Sequence, residues 1–350
     1  MAKINPKFTE ELKSYGVFDA NACYNCGNCT AVCSLSDEDN SFPRKMVRFS
    51  VLGLEDEIQT SLDPWLCYYC GECSTSCPRE ANPGELMMSL RRWLTSKYDW
   101  TGVSGLLYRS FSASLTAFIL LAVVVVGLAA WQNFIPEKLL HYGYYFEMIA
   151  IAAVFVFILI PNIVRMWLFT IYNQKVKVPM SAYLKAFSEL IVHMFTQKRT
   201  LGCDDSQTRW LEHLILVIGY LALLFTTVFL DWFGTHNVFI IVLGYIESAI
   251  IFVVTFIFVL ARINKSQEVS KHAHPSDWFF VIWLCLMGLT AFIVRLFIDL
   301  NIFENNIWMY LIHLIILVQW ALLIVPFGKW THFLYRSFAM YFIRIKELAT

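Results

Sequence analysis

The sequence predicts a mostly α-helical protein in two parts, a cysteine-rich helical head over residues 1–105 and a six-helix transmembrane bundle over residues 106–350. Three observations carry this reading. Of the 350 residues 58% are hydrophobic and 15% charged, where a soluble domain carries roughly 25% charge. Eight of the ten cysteines lie between Cys23 and Cys77, and every long apolar segment begins after Tyr108. Lys plus Arg balance Asp plus Glu at 27 each, so no net basicity attracts nucleic acid, and few Pro/Gly/Ser-rich stretches would stay disordered.

In the head, Cys23, Cys26, Cys29 and Cys33 are spaced C-x2-C-x2-C-x3-C, and Cys67, Cys70, Cys73 and Cys77 repeat that spacing. A cube of four irons needs thiolates converging from different directions. Three cysteines on a tight turn supply one corner each, and in two-cluster proteins with this run the fourth serves the other cluster. The spacing therefore predicts one 4Fe-4S cluster on Cys23, Cys26, Cys29 and Cys77, and a second on Cys67, Cys70, Cys73 and Cys33. Gly27 and Gly71 fall where backbone must pass close to sulfide. Zinc prefers two separated ligand pairs, which is the competing reading. The N-terminus lacks the apolar stretch of a secretory signal, so the head is expected in a reducing compartment where structural disulfides are rare. Pro78 follows the second motif and Ser34 the first; Ser34 alters the turn but removes no ligand. Cys203 and Cys285 lie outside both motifs and read as ordinary residues. Between the motifs, Met46, Phe49, Val51, Leu52 and Leu54 fall at mixed helical spacing. This predicts a helix packed on the clusters, with Arg44, Lys45 and Arg48 either solvated or facing a partner.

A hydrocarbon layer about 30 Å thick needs roughly 20 apolar helical residues. Six segments qualify, near 110–131, 144–170, 210–230, 238–261, 277–300 and 307–330. The loop after the second carries Lys175, Lys177, Lys185, Lys198, Arg199 and Arg209, that after the fourth Arg262, Lys265 and Lys271, and the last stretch Lys329, Arg336, Arg344 and Lys346. The opposite loops offer only Lys138. Cationic loops stay on the cytoplasmic side, so both termini are expected there, in a multi-pass protein of the cell membrane. Leu184 to Lys198, with His193, reads as an amphipathic stretch lying on the membrane surface.

Two histidines then stand out by depth. His213 lies one turn inside the cytoplasmic start of the third segment and His332 at the cytoplasmic end of the sixth, matched in level and facing the cysteine head. They read either as snorkelling polar residues or as the two axial ligands of a haem b. Glu247, Arg295 and His313 fall in the outer half. An isolated ion there is costly, so Glu247 and Arg295 are expected to pair. They hold helices together, or with His313 they line a quinone pocket or proton path, since quinol oxidation releases two protons to groups able to accept them. A third reading gives His313 a second haem, with His141 or His236 opposite. His272 and His274 read as solvated.

The stretch from Cys23 to about Trp100, including Trp65-Leu-Cys-Tyr-Tyr-Cys-Gly-Glu-Cys-Ser-Thr-Ser-Cys-Pro-Arg, resembles the C-type subunits of heterodisulfide reductases, small dicluster ferredoxin-like electron carriers. The surroundings of His213 and His332 resemble the cytochrome b proteins of the nitrate reductase gamma and heterodisulfide reductase E type. His313 and His332, with Pro326-Phe between them, are similar to that family's paired ligands. Members of the nitrate reductase branch carry a further histidine beyond the position of His213, and here Leu223 and aliphatic neighbours stand instead. One haem b is thus implied, or two if His313 finds a partner. The whole order, ferredoxin-like head and cytochrome b-like bundle, is similar to the membrane subunit of quinone-interacting membrane-bound oxidoreductases (Qmo) of sulfate reducers and some sulfur oxidisers. That likeness implies menaquinone as substrate, two soluble flavoprotein subunits related to heterodisulfide reductase A, and adenylylsulfate reductase as electron acceptor. The chain shows no GxGxxG fingerprint, which leaves substrate chemistry to other subunits. The competing readings are another heterodisulfide reductase-like complex, or a non-catalytic membrane anchor or redox sensor.

Overall fold

A computed structural model of the chain describes residues 4–17, 19–197, 201, 207–228, 237–266 and 268–349. It is helical throughout, with no strand among the described residues. The head holds α1 (Phe8–Lys13), α2 (Asn28–Ala31), α3 (Arg44–Leu52), α4 (Glu55–Thr60), α5 (Asp63–Leu66), α6 (Glu72–Thr75), α7 (Pro83–Tyr98) and α8 (Val103–Arg109). The expected helix between the cysteine motifs is α3. The two cysteine motifs fold alike for a backbone reason. Gly27 and Gly71 sit at φ 90° and 94° in front of the single turns α2 and α6, a conformation that costs other residues a Cβ clash.

α7 organises the head. Its Leu86, Met87, Leu90, Trp93 and Leu94 are fully buried, with Phe8, Leu12, Met46, Ile58 and Trp65 packed around them. The same apolar cluster continues into Met166, Ile171, Tyr335, Ala339, Phe342 and Ile345 of the membrane part, so head and bundle share a core. A boundary at residue 105 falls inside α8.

Among the described residues six segments are long and apolar enough to span a bilayer. They are α9 (Phe111–Trp131), α10 (Pro136–Tyr172), α12 (Gln207–Val228), α13 (Val238–Ile263), α14 (Pro275–Asp299) and α15 (Ile307–Gln319), which continues through one π turn to Phe327. The outward faces are largely hydrocarbon; on α9, Ile119, Leu120, Val123 and Val124 are all exposed. Water would not tolerate such a surface, and lipid does. α10 begins eight residues earlier than the apolar pattern suggests because Pro136 opens it as an N1 proline.

The chain breaks at Gly328 after α15 and resumes as α16 (Thr331–Ala349), which lies against α11 (Met180–Thr196) and α5. His332 therefore begins a separate helix and is not the last turn of the sixth span. α11 presents Met180, Leu184, Phe187 and Phe195 as an exposed apolar stripe, as an interfacial helix does, while its His193 points inward and is buried.

Two prolines shape the spans. Pro161 and Pro326 lack an N–H and collide with the carbonyl four residues back, and in both cases a π turn, Phe155–Leu159 or Trp320–Ile324, precedes the proline and widens the helix. α13 and α14 make the closest pairing, and Gly288 permits it. A Cβ there would meet Phe252 N at 2.7 Å and Ser248 O at 2.9 Å.

Candidate functional site

The first site is the pair of cysteine turns. The thiols of the two turns lie close enough to feel one another's charge. Burial pushes the Cys29 thiol up, and the thiolates that repel it are Cys23, Cys77 and Cys26. Burial pushes Cys33 up to about 11, with Cys67 and Cys70 as its nearest like charges. Burial likewise raises Cys67, with Arg91 beside it pulling the other way, and raises Cys73 further, beside Cys67, Cys70 and Cys33. Charges therefore reach across the two motifs: Cys77 acts on Cys29, and Cys67 and Cys70 act on Cys33, beside Cys29 of its own motif. The head cysteines form no disulfide with one another.

The donor set fits 4Fe-4S clusters. Thiolates crowded in a half-buried site need cationic metal to relieve their repulsion. Among the described residues no three His, Cys, Asp or Glu side chains close around one point as a single ion requires. A four-iron cube takes its thiolates at separate corners, whereas zinc would draw its sulfurs to about 2.3 Å from one centre. Backbone N–H groups of Asn25 and Tyr69 donate to Cys23 and Cys67 Sγ, each at 3.3 Å, as stabilising partners of sulfur charge.

The second site is a cavity of about 410 Å³ under the head, within the size range of cofactor pockets. His213 from the second turn of α12 and His332 from the first turn of α16 both line it, with ring centroids 6.2 Å apart and planes at 63°. Two imidazoles ligating one metal from opposite faces, at about 2 Å each, hold their ring centres roughly 6 Å apart. His332 Nδ1 donates to the Lys329 carbonyl, since a carbonyl can only accept; this leaves the Nε2 lone pair free. Arg209, Arg262, Lys329 and Arg336 line the same space, cations that suit the carboxylates of a haem. Cavity size, facing imidazoles and charge fit a haem b. Cys70 and Tyr69 of the second cysteine motif line this cavity too, and Arg209 Nη1 donates to the Tyr69 carbonyl at 2.9 Å. The sequence reading missed His193, which also lines it; only its packing distinguishes it from a surface residue.

The third site is a smaller cavity of about 140 Å³ within the bundle beyond the first, bounded by the π turns that precede Pro161 and Pro326. His313 lines it. The Thr290 hydroxyl donates to the Leu286 carbonyl at 2.7 Å and stands 2.8 Å from His313 Nδ1, which accordingly donates, so Nε2 is left as acceptor. The one carboxylic acid lining it among the described residues is Glu147, within electrostatic reach of Tyr310. Glu147 was overlooked although a lone acid inside an apolar helix is itself a signal. Tyr220, Trp320 and Trp330 line both cavities and form the wall between them, with Trp320 Nε1 donating to Tyr220 Oη at 3.1 Å.

Glu247 and Arg295 take no part in this arrangement. Glu247 is buried and accepts from Thr226 Oγ1 at 3.0 Å. Arg295 pairs with Asp299 one turn on, which also accepts from Tyr245 Oη at 2.7 Å. A local partner on the same helix needs no inter-helix fit, which is why the pair with Glu247 does not form. His141 lies exposed against Tyr145 and does not line the cavity of His313, and His236 is outside the described residues. His274 is half-buried rather than free in solvent: it caps α14, accepting from Ser276 N at 3.2 Å, and burial holds its imidazole down at about 4.

Fold and cysteine geometry together define an iron–sulfur dicluster head on an α-helical bundle of six membrane-length segments. Comparison with known proteins agrees on the head: residues 19–81 match the 4Fe-4S dicluster domain family. A protein of Archaeoglobus profundus, described as like the C-type subunit of heterodisulfide reductase, is 30% identical over 97 residues, 27% of this chain and 52% of that protein. The C-type iron-sulfur subunit of the CoB–CoM heterodisulfide reductase of Methanopyrus kandleri is 36% identical over 84 residues, 22% of this chain and 44% of that protein. The second C-type iron-sulfur subunit of the same reductase in Methanocaldococcus jannaschii is 31% identical over 103 residues, 27% and 55% of the two chains. The chain spans about half the length of these relatives. No solved structure matches it. Homologues of the head are iron–sulfur electron-transfer subunits of an oxidoreductase complex.

Proposed function

We propose that this chain is the membrane electron-transfer subunit of a quinone-linked oxidoreductase, oriented with the head and both termini in the cytoplasm. The observation that carries the reading is a shared wall: Cys70 of one cysteine group and the facing imidazoles of His213 and His332 line a single cavity. Bound at these residues, two 4Fe-4S clusters and a haem b would supply one-electron carriers between a two-electron lipid-soluble donor and soluble partners.

The chain's own residues divide the work. Cys23, Cys26, Cys29 and Cys77 hold one cluster, and Cys67, Cys70, Cys73 and Cys33 the other. His213 and His332 present Nε2 to the haem, and Arg209 and Arg336 face its carboxylates. At the smaller cavity a menaquinol head lies against the Tyr220, Trp320 and Trp330 wall, and Glu147 and His313 Nε2 take its two protons as it is oxidised. Glu247 and Arg295, separated from that cavity, act there only through packing.

Complexes of the quinone-interacting membrane-bound oxidoreductase type supply the partners that fit: two soluble flavoprotein subunits related to heterodisulfide reductase A, and adenylylsulfate reductase as acceptor. The likeness of the head to the C-type subunits of heterodisulfide reductases favours, as a second reading, another complex of that type with a different soluble dehydrogenase. A pyridine haemochrome assay with iron analysis of the purified full chain tests the assignment. One haem b per chain beside about eight iron atoms on two such clusters is expected. Clusters without haem would overturn the relay and leave an anchored redox sensor.

A further inference from the structure

An unbroken chain of polar groups joins the second cysteine motif to His332. Tyr69 N–H donates to Cys67 Sγ at 3.3 Å and Tyr69 Oη donates to Glu85. Glu85 pairs with Arg92 at 3.4 Å, Arg92 with Asp277 at 2.9 Å, and Asp277 with Lys329 at 2.8 Å. The Lys329 carbonyl then receives the Nδ1–H of His332. Glu85, Arg92 and Asp277 are buried, at 4%, 6% and 6% exposure.

Two acids and two bases alternate along this chain, and their charges sum to zero. An apolar seam of similar volume would dock the head at no greater cost, because buried ion pairs seldom repay their desolvation. What an apolar seam could not do is orient an imidazole and hold the field at it constant. Asp277 is placed for both tasks. It caps the first turn of α14 through the His274 N–H at 3.2 Å, so its own position is set by backbone, and it holds Lys329, three residues before His332. A ligating imidazole depends on the group that receives its other N–H for both ring direction and basicity.

We propose that Asp277 and Lys329 are positioning residues for the His332 imidazole: they hold the turn whose carbonyl fixes its tautomer, and their paired charges set the reduction potential of the metal group it ligates. This rests on the haem assignment above. Reduction adds an electron, so removing the negative charge of Asp277 favours the reduced state and removing the positive charge of Lys329 favours the oxidised one.

The test is an optical redox titration of the full chain in detergent. Asp277→Asn is expected to raise the haem potential and Lys329→Met to lower it, each by about tenfold in the one-electron equilibrium, about 59 mV. The double variant restores neutrality and is expected to return toward the wild-type value. Asp277→Glu, which keeps the charge, is expected to rescue the potential and controls for folding. Shifts of the same sign, or none, in variants that keep their clusters would overturn the positioning role while leaving the haem assignment intact. A wild-type chain with no haem band would instead overturn the assignment, and this inference with it.

Discussion

Cys33 and Cys77 show at the level of single residues what a repeated motif means. Each is chain-adjacent to one trio of cysteines and electrostatically coupled to thiols of the other. Cys33→Ser is therefore expected to abolish the electron paramagnetic resonance signal of the cluster on Cys67, Cys70 and Cys73 and to spare that on Cys23, Cys26 and Cys29; the reverse pattern would break the exchange. His274 carries a different prediction. Its folded value near 4 lies below the ordinary 6.5, so the folded state keeps it neutral. The stability this contributes is present above pH 6.5 and is lost as pH falls from there toward 4, when the unfolded chain takes up the proton; the difference is of order 3 kcal/mol, before screening of a partly exposed ring. His274→Asn keeps an N-cap and removes the titration. Melting temperatures of the two proteins in detergent at pH 7.5 and 5 are expected to diverge only at the lower pH. At the smaller cavity, Glu147→Gln is expected to slow haem reduction by a menaquinol analogue at least tenfold while reduction by dithionite is unchanged. An equal effect on both reductants would remove the carboxylate from proton transfer.

Among the elements, α14 bears the most. Its N-terminus meets the head through Asp277, its middle packs against α13, and Thr290 orients His313. Gly288 sits where these demands meet, and a methyl group there would strike the backbone of Phe252 and Ser248 first. Gly288→Ala is expected to cost about 1–3 kcal/mol, as overpacking does, read as a lower melting temperature with haem and cluster content retained. The π turns explain why α10 and α15 end up lining a cavity. Each releases the strain of a proline by letting one residue bulge, and the displaced turns leave space between spans where regular helices would close. Pro161 and Pro326 announced a disturbance in the sequence; its direction depends on what stands opposite.

At the scale of the molecule, the shared core changes what the head is. Trp65, Trp93 and Tyr98 pack in one cluster with Tyr335, Ala339 and Phe342, so the head is not a tethered carrier but the cap of the bundle. A rigid cap keeps the cysteine groups at constant separation from the imidazoles. That geometry suits fast transfer, and it predicts that the head expressed without its bundle exposes a large apolar face and aggregates. Monodisperse behaviour of residues 1–105 in size-exclusion chromatography would argue against the continuous core.

The amino-acid order alone determined the helical class, the six long apolar segments and the eight clustered cysteines, because each follows from local spacing or from the thickness of lipid. It also marked His213 and His332, since charge patterning put both at one depth. It missed His193, Glu147, Asp277 and the partner of Arg295. Those depend on which faces of distant helices meet, and a buried charge chooses its partner by three-dimensional proximity that no periodicity encodes. The chain wrote down the cysteines and histidines; only packing revealed that the thiol of Cys70 and two imidazoles border the same space.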